Sequence, residues 1–295
     1  QFPERCTMAE NLTTTVSSKS QTVDINRALP TVVIGERINP TGRKKLQAEL
    51  EAHKFNIAQH DARAQVLAGA TILDVNAGVP DGDEPTLIQE TIRAVMAVTD
   101  VPLCIDTADP DALAAALKIY EGKALVNSVN GETHSLEKML PLVKEYGAAV
   151  IGLCMDDDGI PSLPEKRLAV AGKIIERAAK LGIPIEDVVI DPLVLTVSVD
   201  SNAAMLTLKT TELIVKEFGV NITMGASNVS FGLPDRSAIN AAFMAMAIQA
   251  GLTCPITNPL DPDLAIAVLA ADLAMGKDEW GDRWITAYRS RNKPA

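Results

Sequence analysis

One unit recurs along this chain. A short apolar, largely β-branched run stops at Asn, Asp or small residues, a turn follows, and then comes a longer helix-favouring segment. Residues 31–38 (TVVIGERI) stop at Asn39-Pro40-Thr41-Gly42 and lead into 45–68. Residues 72–75 stop at Asn76-Ala77-Gly78, before 84–98. Residues 101–105 stop at Asp106-Thr107, and Asp109-Pro110 opens a helix to Tyr120. Residues 124–126 stop at Asn127-Ser128, before 135–146. Residues 148–154 run into Met155 and an acidic turn, Asp156-Asp157-Asp158-Gly159, before 164–181. Residues 188–190 stop at Asp191-Pro192, before 202–218. Residues 222–224 stop at Gly225-Ala226-Ser227-Asn228; a Gly/Pro loop at 232–234 follows, and Asp235 starts a helix over 236–250. Residues 255–257 stop at Asn258-Pro259, before 261–275, and 280–291 reads as a closing helix.

Strand and helix alternating eight times in series predict a parallel sheet covered by helices, and eight is the number of a (β/α)₈ TIM barrel. The strands are near-continuous apolar runs, as strands buried on both faces require. A doubly wound open sheet is the alternative. The units are even and no composition break divides them, so residues 30–295 are expected to be one barrel domain. Residues 1–29, rich in Ser, Thr and Gln, are expected to be a poorly ordered segment.

Composition narrows the partners. The net charge of −11 argues against a nucleic-acid surface, which needs a basic footprint. Cys6, Cys104, Cys154 and Cys254 are far apart and fit no zinc spacing, which points to free thiols in a reducing cytoplasm. No apolar run reaches the ~18 residues of a membrane span.

Barrel active sites lie at the carboxyl ends of the strands. Here those ends carry Glu36, Asn39, Asp74, Asn76, Asp106, Asn127, Asp156, Asp191, Asn228 and Asn258. Each alone is also what an ordinary turn uses; one in every unit is a pattern. The ring holds carboxylates and carboxamides and almost no Lys or His. His53, His60 and His134 fall away from the strand ends. Metal ligation, a Ser-His-Asp arrangement, a Walker loop and GxGxxG are therefore not indicated. The ring suits a polar heterocycle rich in N–H groups, since carboxylates accept and carboxamides both accept and donate. At the seventh strand end, small residues let a ligand approach the backbone closely.

The motifs GERINPTG, LDVNAG, CIDT, VNSVNGE, VIGLCMDDDGIP, IDPLV and GASNVSFGLPDR, in this order, resemble the pterin-binding methyltransferases, above all the methyltetrahydrofolate:corrinoid methyltransferases. The likeness runs from about 32 to 271. It implies a TIM barrel, commonly a homodimer, with tetrahydrofolate or 5-methyltetrahydrofolate as substrate and a corrinoid (cobalamin) carried by a partner protein. By matching motif it implies Asp106, Asn127 and Asp191 as pterin ligands and Asn228 as the catalytic group near N5. Asp74, Asn76, Gly225, Ser227 and Arg236 would line or support the pocket, and Glu36 and Asn39 match the first-strand motif. Dihydropteroate synthase is the rival within the fold, but SNVSFG and ITNPLDP offer its diphosphate substrate no Lys or Arg at the tips. A non-catalytic folate-binding protein is the rival from another class.

Overall fold

The computed structural model describes residues 11–291. Seven strands, β3 (Ile34–Ile38), β4 (Ile72–Val75), β5 (Leu103–Asp106), β6 (Leu125–Asn130), β7 (Ala149–Leu153), β8 (Val188–Asp191) and β9 (Ile256–Thr257), form one sheet in the order β8-β7-β6-β5-β4-β3-β9. All neighbours are parallel. The gap between β8 and β9 is filled by the seventh apolar run. Ile222 bridges Ile190 and Gly225 bridges Ile256, both parallel. Thr223 N–H donates to Ile190 O and Ile256 N–H to Met224 O, each at 3.0 Å. The predicted seventh strand is thus a pair of bridges, and it closes the barrel.

Alternation divides the core in two. Ile34, Ile72, Cys104, Leu125, Ile151 and Val189 fill the barrel interior. Their strand neighbours Leu73, Leu103, Ile105, Val126, Val150 and Ile190 face the helices. Successive strand residues point to opposite faces, and both faces are dry.

Helices follow the strands: α1 (Lys44–Glu51), α2 (Asn56–Leu67), α3 (Glu84–Met96), α4 (Pro110–Ile119), α5 (Thr133–Tyr146), α6 (Pro164–Lys180), α7 (Ala203–Phe218), α8 (Arg236–Ala250), α9 (Pro262–Ala274) and α10 (Asp282–Arg291). The Asp109-Pro110 opening behaves as read, and Asp261-Pro262 does the same. Asp109 accepts from Asp111 N–H at 2.8 Å and Asp261 from Asp263 N–H at 3.0 Å, each ahead of a proline in the first turn. Two expectations are corrected. The helix expected over 45–68 breaks into α1 and α2 around His53, whose φ is +52°. Asp235 lies at φ +50° and gives α8 no side-chain cap.

The N-terminal expectation is corrected more deeply. Residues 1–10, with Cys6, lie outside the described residues, but the stretch expected to be poorly ordered contains an antiparallel hairpin, β1 (Thr14–Ser17) with β2 (Thr22–Ile25). Val16 and Ile25 are fully buried against the interior cluster, so the hairpin stoppers the amino-terminal end of the barrel. Buried Asn221 donates through Nδ2 to Leu12 O, Thr14 Oγ1 and Ile25 O at 3.2, 3.0 and 2.8 Å. Tyr120 Oη donates to Ser17 O at 2.9 Å. At the barrel's seam, fully buried Asp272 accepts from Thr31 N–H at 2.9 Å, Thr31 Oγ1 at 2.7 Å and Arg283 Nη1 at 2.8 Å. This clasp ties the lead-in to β3 to α9 and α10.

Candidate active site

Two register shifts shape the carboxyl-terminal mouth. The β3–β4 pairing slips between Gly35 and Ile38, and β6–β7 slips between Asn127 and Val129. Such bulges re-aim side chains at a barrel rim. At the first, Glu36 and the neighbouring Arg37 are both half-buried; at the second, the Asn127–Ser128 peptide is cis.

One connected cluster lies on β3 to β6. Asp74 is only 3% exposed and accepts from Asn127 Nδ2 at 3.0 Å. Burial, then the charge of Asp106, push its carboxyl well above the ordinary range. Asp106 is raised to about 6, chiefly by burial, with Asn76 and Asp74 hydrogen-bonding to it and Glu84 adding repulsion. Asn39 Nδ2 also reaches Asp106, at 3.4 Å. Asp106 and Asn127 are register partners on adjacent strands.

Across the mouth, Asp191 ends β8. Burial lifts its carboxyl to about 7, opposed by the Leu193 N–H that it accepts at 2.7 Å and by the Arg167 charge. Arg167 is a buried strut. Its Nε donates to Pro161 O at 2.9 Å, and its Nη1 to Pro192 O and Leu193 O at 2.7 Å, joining the loops after β7 and β8. Burial lifts Glu36 to about 7 as well, against the charges of Arg37 and Arg236.

The seventh strand end is a single 3₁₀ turn, Ala226–Ser230. Arg236 braces it, donating to Ser227 O at 2.8 Å and Ser230 Oγ at 3.0 Å and lying over the Phe231 ring. Asn228 is exposed at the rim, and its amide folds back on Gly225 so closely that a Cβ there would sit 3.1 Å from Nδ2.

The structure therefore joins Asn39, Asp74, Asn76, Asp106 and Asn127 directly, and brings Glu36 within electrostatic reach of Arg236. Asp156 and Asn258 are spent on their own turns, accepting from Asp158 N–H at 3.1 Å and Leu260 N–H at 3.2 Å. Among the described residues, no group of three or more His, Cys, Asp or Glu is placed to hold a metal. A lateral cavity of about 620 Å³ lies between α2, α9 and α10. Its lining is mainly aliphatic, and of the strand-end residues only Asn258 reaches it, so the converging chemistry is at the mouth.

Sequence reasoning missed Arg167. A signal existed: it occupies the apolar stripe of α6 with Val170, Ala171, Ile174 and Ala178, where a cation needs buried partners. It also missed Cys104, a thiol hydrogen-bonded to Asp74, and Glu84, which accepts from the Thr107 hydroxyl beside Asp106.

Comparison with known proteins fits this geometry. The profile of the family described as pterin binding enzyme matches residues 35–258. The methylcorrinoid:tetrahydrofolate methyltransferase of Eubacterium limosum is 31% identical over 265 residues, covering 88% of this chain and 96% of that protein. The methionine synthase of Mycobacterium tuberculosis is 26% identical over 256 residues, but the chain spans only 22% of its length. Among solved structures, dihydropteroate synthase from Xanthomonas albilineans in complex with 7,8-dihydropteroate superposes with a TM-score of 0.65 at 18% identity, covering 88% of this chain and 98% of that one, a likeness of fold. With its profile match across all the barrel strands and a relative that aligns over most of its length, this chain belongs to the pterin-binding enzyme family.

Proposed function

We propose that this enzyme moves a methyl group between N5 of a tetrahydrofolate and the cobalt of a corrinoid. The observation that carries the reading is the near-full-length match to the Eubacterium limosum methyltransferase. That protein's name runs from methylcorrinoid to tetrahydrofolate, and the same direction is proposed here. The balance is simple. N5 gains the methyl carbon and loses a proton, while the methyl–cobalt bond breaks with its electron pair left on cobalt.

The chain's own groups supply binding, orientation and proton handling. Asp106, Asn127 and Asp191 hold the pteridine, with Asp74, Asn76, Asn39, Gly225, Ser227 and Arg236 in support. Asn228, at the rim, meets N5 and orients it toward the incoming methyl. Glu36 and Asp191, both near 7, are able to exchange a proton at neutral pH. An exposed Asn228 leaves the reacting nitrogen open to a large partner, which supports a corrinoid carried by a separate protein. A homodimer in the cytoplasm completes the proposal; among the described residues no helix is long and apolar enough to cross a membrane.

The synthase reading is weaker. The Xanthomonas albilineans synthase shares the fold at 18% identity, and here the tips at 225–228 and 256–259 carry no Lys or Arg for a diphosphate. The test is spectroscopic. Mixed anaerobically with methylcob(III)alamin and tetrahydrofolate, the protein should generate cob(I)alamin and 5-methyltetrahydrofolate in equal amounts. Folate binding without any methyl exchange, in either direction, would make it a folate-binding protein instead.

A further inference from the structure

Charge is unevenly spread around the mouth. The connections at 76–83, 107–109, 131–132, 154–163, 192–202, 226–235 and 258–261 each hold at least one carboxylate and no Lys, Arg or His. The connection at 39–43 is the reverse. Its charged residue is Arg43, and Lys44 and Lys45 follow in the first turn of α1. Neither lysine serves that helix, since cations at a helix N-terminus oppose its dipole. Both are exposed, and Arg37, near the end of β3, is half-buried. Among the described residues, none of these three side chains makes a hydrogen bond or ion pair with the protein. Arg43, by contrast, is spent on structure: its Nη1 meets Asp61 at 2.6 Å and also donates to Arg37 O. A groove of about 540 Å³ lies beside them, between this connection and α2, lined by Arg43, Lys44, Lys45, His60 and Asp61.

Arg37 links this patch to the reacting end of the site. Its charge and that of Arg236 both bear on Glu36, so the two guanidinium groups flank one neighbourhood of the mouth. Arg236 braces the turn that carries Asn228. In a folate the tail leaves from C6, the ring atom next to N5. An N5 at Asn228 therefore starts the tail at the rim of 226–236. Round the rim past β8, the next charges are Asp200 and then Asp156, Asp157 and Asp158. Past β9, Asp261 is occupied by Ser237 and by the start of α9, and the rim leads on to Arg37, Lys44 and Lys45. A chain of carboxylates is repelled one way and drawn the other. We infer that Arg37, Lys44 and Lys45 seat the γ-linked glutamate tail of the folate, and that the enzyme favours substrates carrying several glutamates. Arg37 meets the first glutamate, and Lys44 and Lys45 meet those added to it. The inference rests on the pterin reading above and adds the tail to it.

The test is anaerobic titration of the intact protein with tetrahydrofolate as its monoglutamate and as its triglutamate. At low salt, wild type should bind the triglutamate at least about 5-fold more tightly, from the added exposed charge contacts. High salt should shrink that preference, because exposed pairs are screened. Lys44→Glu/Lys45→Glu should abolish it; both side chains are exposed, so the fold should hold. Lys118→Glu/Lys138→Glu makes the same change of charge on exposed positions of α4 and α5 and should keep the wild-type ratio within about 2-fold. Equal binding of the two folates by wild type overturns the inference. So does a preference that outlasts Lys44→Glu/Lys45→Glu, including the case in which that variant instead raises the KM for the corrinoid and the cations serve the methyl donor. An equal fall in both double variants overturns it as well, since bulk charge alone would then account for the preference. Failure to bind even the monoglutamate is a separate result: it takes down the pterin reading, and the tail seat with it.

Discussion

Asn228 is held by one turn and touches the protein lightly, so its removal should separate chemistry from binding. A contact that strengthens in the transition state acts on the rate more than on ground-state affinity. Asn228→Ala is expected to slow single-turnover methyl transfer by ~10²-fold, with a smaller loss in folate affinity; stopped-flow and titration on the folded variant check this, and an unchanged rate at saturating folate removes Asn228 from the mechanism. Asp191 and Glu36 give a pH signature. Their folded pKa values, about 7, lie above the 3.8 and 4.5 of free carboxyls, so the folded state binds these protons more tightly. Their stabilising contribution is fully present below about pH 4 and is lost as pH rises through 7, at up to about 1.4 kcal/mol per unit for each group. Calorimetry from pH 4 to 8 should find Asp191→Asn less pH-sensitive than wild type across that window. At this scale the sequence told a good deal, because Asp and Asn at strand ends are visible by position. Asp156 and Asn258 stand in evident turn contexts and do cap their own turns; what the sequence did not show is that Asp106 gathers amides. That depends on neighbours 30 to 70 residues away, such as Asn39.

Elements were legible where their signals are local. The Asp109-Pro110 start marked α4, and apolar runs between turns marked the strands. The hairpin was not legible. Thr, Ser and Val in a short stretch read equally as disorder, and what orders β1 and β2 is a floor built from residues at 120, 186 and 221. That dependence is testable. Asn221→Ala leaves the Leu12 and Ile25 carbonyls without their buried donor, and should cost ~1–3 kcal/mol. Hydrogen exchange should quicken across residues 12–25, while methyl transfer, carried out at the opposite end of the barrel, should keep its rate. Slowed turnover with an unaltered hairpin would show that the floor is coupled to the mouth.

For the whole molecule, the count of eight strand–helix units carried the architecture, although the seventh strand shrinks to two bridges. Closure also needs the Asp272 clasp, which no motif announced, since an acidic residue in α9 looks like any solvated charge. Asp272→Ala strands Thr31 N–H and its hydroxyl in a dry seam while Arg283, partly exposed, recovers water. The expected cost is ~1–3 kcal/mol, seen as a lower Tm with unchanged folate affinity; an unaltered Tm would mean the seam holds by packing alone. The hairpin has one more consequence, in time rather than in space. Its strands leave the ribosome well before the surfaces that receive them: Thr14 bonds to Glu186 and Asn221, 172 and 207 residues downstream. At 5–20 residues per second that is a wait on the order of 10–40 s. For that interval the nascent chain trails an apolar ribbon with Val16 and Ile25 bare, a natural target for chaperones that scan emerging polypeptides, and the barrel is stoppered only after most of it has been made.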